Sequence, residues 1–261
     1  MSRIVFLRRA LLLAAVAILS LPQARAADAP AVRTIAVLSL LGDELTTVHR
    51  RFATGSQLDP NRRESIPIDD PAFDRTAMDA AERALAEALP AAERLRFGIR
   101  DKALFAIQDG LLEPGPASDG MRKGLQGLLQ KSGATHLLLI TKRRDDFLFK
   151  LGDGDTTGIG KVSGVGLFID NNTEMRDLTT GQHGTGFFVC YAYVRATLVE
   201  AATLRVVASR IGTEQAMTTP IGVKDAKTAW DAMPNKAKLE NLMRAIDSAV
   251  YDAVRQLATA R

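Results

Sequence analysis

One cysteine, one tryptophan and three histidines stand in a chain of 261 residues, and each scarcity closes off a class of chemistry. A lone cysteine forms no internal disulfide, so even an oxidising compartment gives this fold no covalent cross-link. Cys190 sits in Phe187-Phe188-Val189-Cys190-Tyr191-Ala192-Tyr193, an apolar strand-like run in which a thiol is a small buried hydrophobe. A nucleophilic cysteine wants a histidine and an electropositive setting. His183 is close in sequence, but nothing fixes its direction. His49, His136 and His183 are not spaced as a metal pair on a helix or within a short loop. No catalytic, cofactor-binding or metal-binding residue is assigned from the sequence. An excess of one charge is missing too. The formal charge of +4 comes from Arg3, Arg8, Arg9 and Arg25, because the first 26 residues hold no acid. Setting those four aside leaves 30 basic against 30 acidic side chains. A nucleic-acid partner is therefore not expected, since displacing counterions from phosphates needs surplus positive charge.

What is present is ordinary globular material: 46% hydrophobic, 25% charged and 5% aromatic residues. Collagen, a disordered tail and a multi-span membrane protein are excluded. The N-terminus reads MSRIVFLRRALLLAAVAILSLPQARA. Arg3, Arg8 and Arg9 form a positive segment, and Ala10 to Leu21 an apolar run too short to span a bilayer. Pro22 breaks the run, and Ala24-Arg25-Ala26 offers small residues where a signal peptidase reads. Residues 1–26 are expected to be a secretory signal peptide cut after Ala26, with residues 27–261 a single exported domain in the periplasm. Arg8-Arg9 partly matches a twin-arginine signal, with Leu7 where Ser or Thr is usual. Sec and twin-arginine export both stay open.

Along the chain, Val32 to Leu41 is β-rich, and Gly42-Asp43 with Leu45 to Phe52 suggests a hairpin. Residues 53–70 read as loop. Asp70-Pro71 reads as a cap and first helical residue, followed by a stripe of Phe73, Ala77, Ala80, Ala81, Ala84, Leu85 and Ala88 that ends before Pro90. Arg94 to Ile99 reads as a short strand, Lys102 to Leu112 as a short helix, and Glu113 to Gly120 as loop. A helix over Met121 to Lys131 stops at Ser132-Gly133. Ala134 to Ile140 is a continuous apolar strand, the pattern of one covered on both faces. Asp145 to Leu151 and Val162 to Asp170 read as strands around a glycine-rich connection, and Thr179 to Gly186 as a polar loop. Phe187 to Glu200 and Leu204 to Ile211 form a long hairpin. From near Pro234 a stripe of Leu239, Leu242, Met243, Ile246, Val250, Val254 and Leu257 marks a closing helix, expected to dock on a sheet that includes Leu137 to Ile140. The order predicts one α/β domain: a mixed β-sheet with a long antiparallel hairpin and packed helices.

The glycine-rich stretch Gly152 to Val162 fails as a phosphate loop. Gly160-Lys161 is followed by Val162, which has no hydroxyl, Asp155 stands where the earlier Gly belongs, and strand rather than helix follows. As a calcium loop it keeps only Asp153 and Asp155, with Thr157 for the third acid and Gly164 where a bidentate Glu should be. It reads instead as a mobile connection between strands that contacts a partner. Ser39, Asp43 and His49 make a Ser-His-Asp set on paper, but no G-x-S-x-G elbow is present.

Three segments carry a family resemblance. They are the early strand Thr34-Ile35-Ala36-Val37-Leu38, the helix end Leu128-Leu129-Gln130-Lys131-Ser132-Gly133 running into Ala134 to Ile140, and the paired strands of Tyr193 to Ser209. Together they resemble the α/β domain shared by the curli-secretion lipoprotein family and the N-terminal domain of the Tol-Pal propeller protein. Two features depart from it: the lipobox cysteine is absent, and the turn has Ala201-Ala202-Thr203 where an Asp and a Thr-Gly are usual. The resemblance implies envelope assembly or transport through protein contacts, not catalysis. The expected function is a non-catalytic periplasmic binding or envelope accessory protein with a protein partner, and peripheral membrane contact is left open. The alternative is a secreted hydrolase with a scattered His/Asp/Ser site.

Overall fold

The computed structural model describes residues 32–42, 44–51, 59–99, 101–151, 154–156, 160–176, 181–218 and 224–259. The expected cleavage site lies outside these residues. In chain order the elements are β1 (Thr34–Leu40), β2 (Glu44–His49), β3 (Arg62–Pro67), α1 (Ala72–Ala88), β4 (Glu93–Phe97), α2 (Lys102–Ala106), α3 (Asp119–Ser132) and β5 (His136–Lys142). Then follow β6 (Arg144–Asp146), β7 (Phe149–Leu151), β8 (Gly154–Thr156), β9 (Lys161–Arg176), β10 (His183–Glu200), β11 (Val206–Thr218), α4 (Ala226–Ala232) and α5 (Asn235–Thr259). The α/β class and the mixed sheet are as expected. Parallel pairs join β1 to β4 and β5, and antiparallel pairs join β10 to β5, β9 and β11.

The long strand β10 is the spine. Its one edge takes β11. Its other edge takes two strands end to end: β5 opposite Val194–Glu200 and β9 opposite His183–Tyr193. At the handover, Arg143 donates its N–H to Tyr193 O, and Gly164 donates its N–H to Arg143 O. Gly164 has φ +62°, and a Cβ there would stand 2.9 Å from the Lys142 side chain, so glycine is required where the strands meet.

This arrangement overturns the expected hairpin of residues 32–52. β1 lies outside β5 and β2 lies outside β9, both parallel to their neighbours. The chain therefore runs on from β1 into β2 instead of folding back. Asp74, reaching over from α1, accepts the N–H groups of Leu41 and Gly42 and holds this link without a hairpin turn. Part of the expected loop 53–70 is β3, which pairs along the whole of β2. Its side chains are all exposed, so it carries no apolar alternation to read.

The alternating faces explain the continuous apolar runs. Leu138 and Ile140 of β5 pack with Ile35 and Val37 under α1 and α5. Leu137 and Leu139 pack with Ala36, Leu38 and Leu40 against α2 and α3. The lower part of that second face is aromatic: Phe147 stacks on Phe168 at 4.5 Å, beside Phe187, Tyr191 and Tyr193. The helix ends follow local chemistry. Asp70 Oδ1 accepts from Ala72 N–H at the start of α1, and Gly133, at φ +73°, caps α3. α2 stops at Ala106 rather than Leu112, since Gln108 to Leu111 turn instead. α4 escaped the periodicity because it is short; its signal is Asp225, whose side chain accepts from Thr228 N–H. The α5 stripe begins at Leu242. Leu239, expected in the core, is exposed: the start of the helix leans on α4 through Lys238, which lies over the Trp230 ring, and Leu239 is turned to solvent.

Candidate functional site

The register of the sheet decides whether the three histidines converge. His136 begins β5 opposite Ile35 and Glu200, is buried, and sets Nδ1 3.1 Å from Thr135 Oγ1. His183 begins β10 opposite Arg176. Seventeen residues of β10 separate it from Glu200, roughly 56 Å of strand. His49 ends β2 opposite Ile169, which faces Phe188. It is thus about 17 Å along the strand from His183 and two strand spacings across. The histidines belong to three different places.

Ser39 does find a carboxylate, but not the one expected. Its Oγ–H donates to Asp74 Oδ1 at 2.6 Å. Ser39 faces Ile140, four residues and about 13 Å of strand from His136. His49 is carried away because β2 continues beyond β1. Asp43 lies outside the described residues. Sequence reasoning missed Asp74, which reads only as a first-turn acid of α1.

Cys190 is buried in the middle of β10, and burial alone pushes its thiol up to about 12. It has the properties of the core thiol expected. The glycine-rich stretch is in part strand: β7 and β8 form their own antiparallel pair, Phe149 to Leu151 against Gly154 to Thr156. Asp153 and Thr157, two positions of the calcium pattern, lie outside the described residues. Lys161 opens β9 and pairs with Asp146 at 2.6 Å, so Gly160-Lys161 does not lead into a helix. The expected loop over Thr179 to Gly186 is strand from His183 onward. Among the described residues, no three His, Cys, Asp or Glu side chains are grouped to hold a metal ion. None of the described helices is long and apolar enough to cross a membrane.

Two features stand out from this frame. One is the outer edge of β11. Among the described residues this 13-residue strand pairs only with β10. Val206, Val207, Ile211 and Met217 are exposed on it, the last two 45% and 42%. The other is a crevice at the C-terminal ends of the parallel strands β1 and β4, beside the first turn of α1. Asp74 is its central polar group, its Oδ1 accepting from Ser39 Oγ, Leu41 N and Gly42 N.

No protein-family model matches the chain, and no curated protein matches it. Several solved structures resemble it at low identity. A neuraminyllactose-binding hemagglutinin homolog from Helicobacter pylori is 8% identical over 87% of this chain and 83% of that chain, with a TM-score of 0.37. Lipoprotein GNA1162 from Neisseria meningitidis is 13% identical over 85% and 99%, with a TM-score of 0.27. The LpoB C-terminal domain from Salmonella enterica is 13% identical over 74% and 89%, with a TM-score of 0.26. A bacterial lipoprotein is thus among the similar structures, while the curli-secretion family itself is not confirmed by any match.

Proposed function

We propose that the protein is an exported, non-catalytic binding or assembly subunit of the cell envelope, acting through protein contacts at the outer edge of β11. The observation that carries this reading is the open strand. An exposed edge offers a row of main-chain donors and acceptors to another chain, and proteins usually blunt it with lysine, proline or a bulge. From Val206 to Thr218 there is no lysine and no proline. The register shift lies only at the start, at Leu198/Val199. Arg210 donates back to its neighbour Ser209 O rather than guarding the edge. Ile211 and Met217 supply apolar contact beside the open main chain. Strand addition takes affinity from main-chain hydrogen bonds and specificity from alternate side chains. The N-terminal arginines, the short apolar run and Ala24-Arg25-Ala26 support export.

The test is site-specific photo-cross-linking in cells, with the reactive residue at Thr213 on β11 or at exposed Lys236 on α5. The expected result is a protein adduct from Thr213 alone, lost in the Ile211→Asp, Met217→Asp variant while the denaturation midpoint stays put. The exported chain should begin at Ala27 by mass. Equal adducts from both positions, or an intact Met1 in the exported protein, would overturn the reading.

A further inference from the structure

We infer that the open edge of β11 takes the same edge of a second copy of this chain, antiparallel, with a two-fold axis at Gly212. The inference rests on β11 being a contact edge and names what occupies it. The direction of the main chain comes first. Tyr193 O accepts from Arg143 N–H on the β5 side of β10. Main-chain groups alternate along a strand, so Ala192, Val194 and Ala196 turn theirs to β11, where they meet Glu214, Gly212 and Arg210. Ser209, Ile211, Thr213 and Gln215 therefore point N–H and C=O outwards. A second β11 must set outward residues against outward residues, which centres the pairing on one residue of the strand. Centring on Arg210 or Glu214 puts like charges face to face. Centring on Ile211 or Thr213 leaves each charge opposite a glycine or an alanine. Centring on Gly212 puts Arg210 opposite Glu214 of the second copy, and the symmetry repeats the pair.

In that register both faces of the strand are used. Arg210 and Glu214 fall at positions without main-chain bonds between them, where opposed Cβ atoms stand closest, about 5 Å apart. Both side chains are half-buried, and among the described residues neither is in an ion pair. Arg210 reaches only its neighbour Ser209 O, and Glu214 accepts from Ser248 Oγ–H at 3.1 Å. Ser209 against Gln215 and Ile211 against Thr213 exchange the main-chain bonds. On the opposite face the exposed Ile211 comes within about 7 Å of its own symmetry copy across the diagonal. Exposed Met217 reaches the Val207 end of the other strand. At the axis, Ala249 O of α5 stands where a Cβ of residue 212 would be, so only glycine lets the helix sit there. α5 packs as fully on β10 as on β11, which sets it back from the edge. Its two copies then lie about two strand spacings apart, ~9.5 Å, a normal distance between packed helices. Such a contact is isologous and closes at two copies.

The experiment is sedimentation equilibrium of residues 27–261, alone and with the charges reversed. The parent chain is expected to be a dimer. Arg210→Glu and Glu214→Arg should each weaken self-association about a hundredfold or more, since two like-charge pairs then oppose. An equal mixture of the two variants should dimerise again, because every reversed charge meets its opposite on the other chain. One chain carrying both changes should dimerise with itself, which shows that neither change prevents folding. A monomeric parent, single variants that associate like the parent, or no recovery in either the mixture or the double variant would each overturn the pairing. The photo-cross-link at Thr213 separates this from the broader reading. An adduct of twice the chain mass is expected. An adduct with a different protein, from a chain that is monomeric alone, overturns self-pairing and leaves the contact edge standing; no adduct overturns both.

Discussion

Asp170 shows how a single side chain is held against its own desolvation. It is completely buried, which pushes its carboxyl up. Hydrogen bonds from Asn172 N–H, Thr173 Oγ–H, Arg50 Nη1 and Thr173 N–H outweigh that penalty, and the carboxyl ends below its usual range. The folded group is thus more acidic than the unfolded one, which titrates near ~3.9. Its contribution is fully present above about pH 4 and is lost as pH falls through the lower folded value. Asp170→Asn should cost about 1.5–3 kcal/mol at pH 7, the worth of a hydrogen bond to a charged group. The difference from the parent should shrink at pH 3. Urea midpoints of both proteins at the two pH values check this, and parallel pH profiles would show that the clamp does not titrate with folding.

At the scale of elements, α5 has the clearest sequence and the clearest place. Leu242, Ile246, Val250, Val254 and Leu257 are buried against α1, β10 and β11, with Leu138 and Ile140 in the same cluster. Ile246→Ala should destabilise by roughly 2–5 kcal/mol, from lost burial plus the cavity left behind. Leu239→Ala, at an exposed position, should stay within about 0.5 kcal/mol. Denaturant midpoints at unchanged slope measure both; equal effects would mean that Leu239 packs as tightly as Ile246. The stripe was legible because a helix buries one side only. β3 was not, since it buries nothing, and β2 was read as strand but given β1 as its partner, because its parallel neighbour β9 lies far along the chain.

Across the whole molecule, β10 links every layer. It is covered on one face by α5 and meets the aromatic cluster on the other, and Cys190 sits between these neighbours with 1% exposure. Only a thiolate reacts with a disulfide reagent, and this thiol is pushed up to about 12 by burial. Labelling of the native protein should therefore require opening of the sheet. Its rate should rise with urea along the slope of global unfolding. Rapid labelling without that dependence would reveal a local opening of β10. Of the two candidate surfaces, the β11 edge was half legible: the hairpin was read, but not that its outer side is left open. The crevice was not legible, because Asp74, Ile99 and Phe105 come from elements that only the sheet order brings together.

Composition and the periodicities determined by themselves the α/β class, the closing helix, the doubly covered strand β5 and the buried thiol. These depend on spacing within one segment, where the period of a helix or strand reports which side meets the core. Tertiary structure alone decided that β1 continues into β2 rather than turning back, that β5 and β9 share one edge of β10, and that the three histidines stay apart. Those outcomes turn on pairing between residues far apart in the chain, where many registers satisfy the same apolar pattern and only the combined packing of both faces selects one.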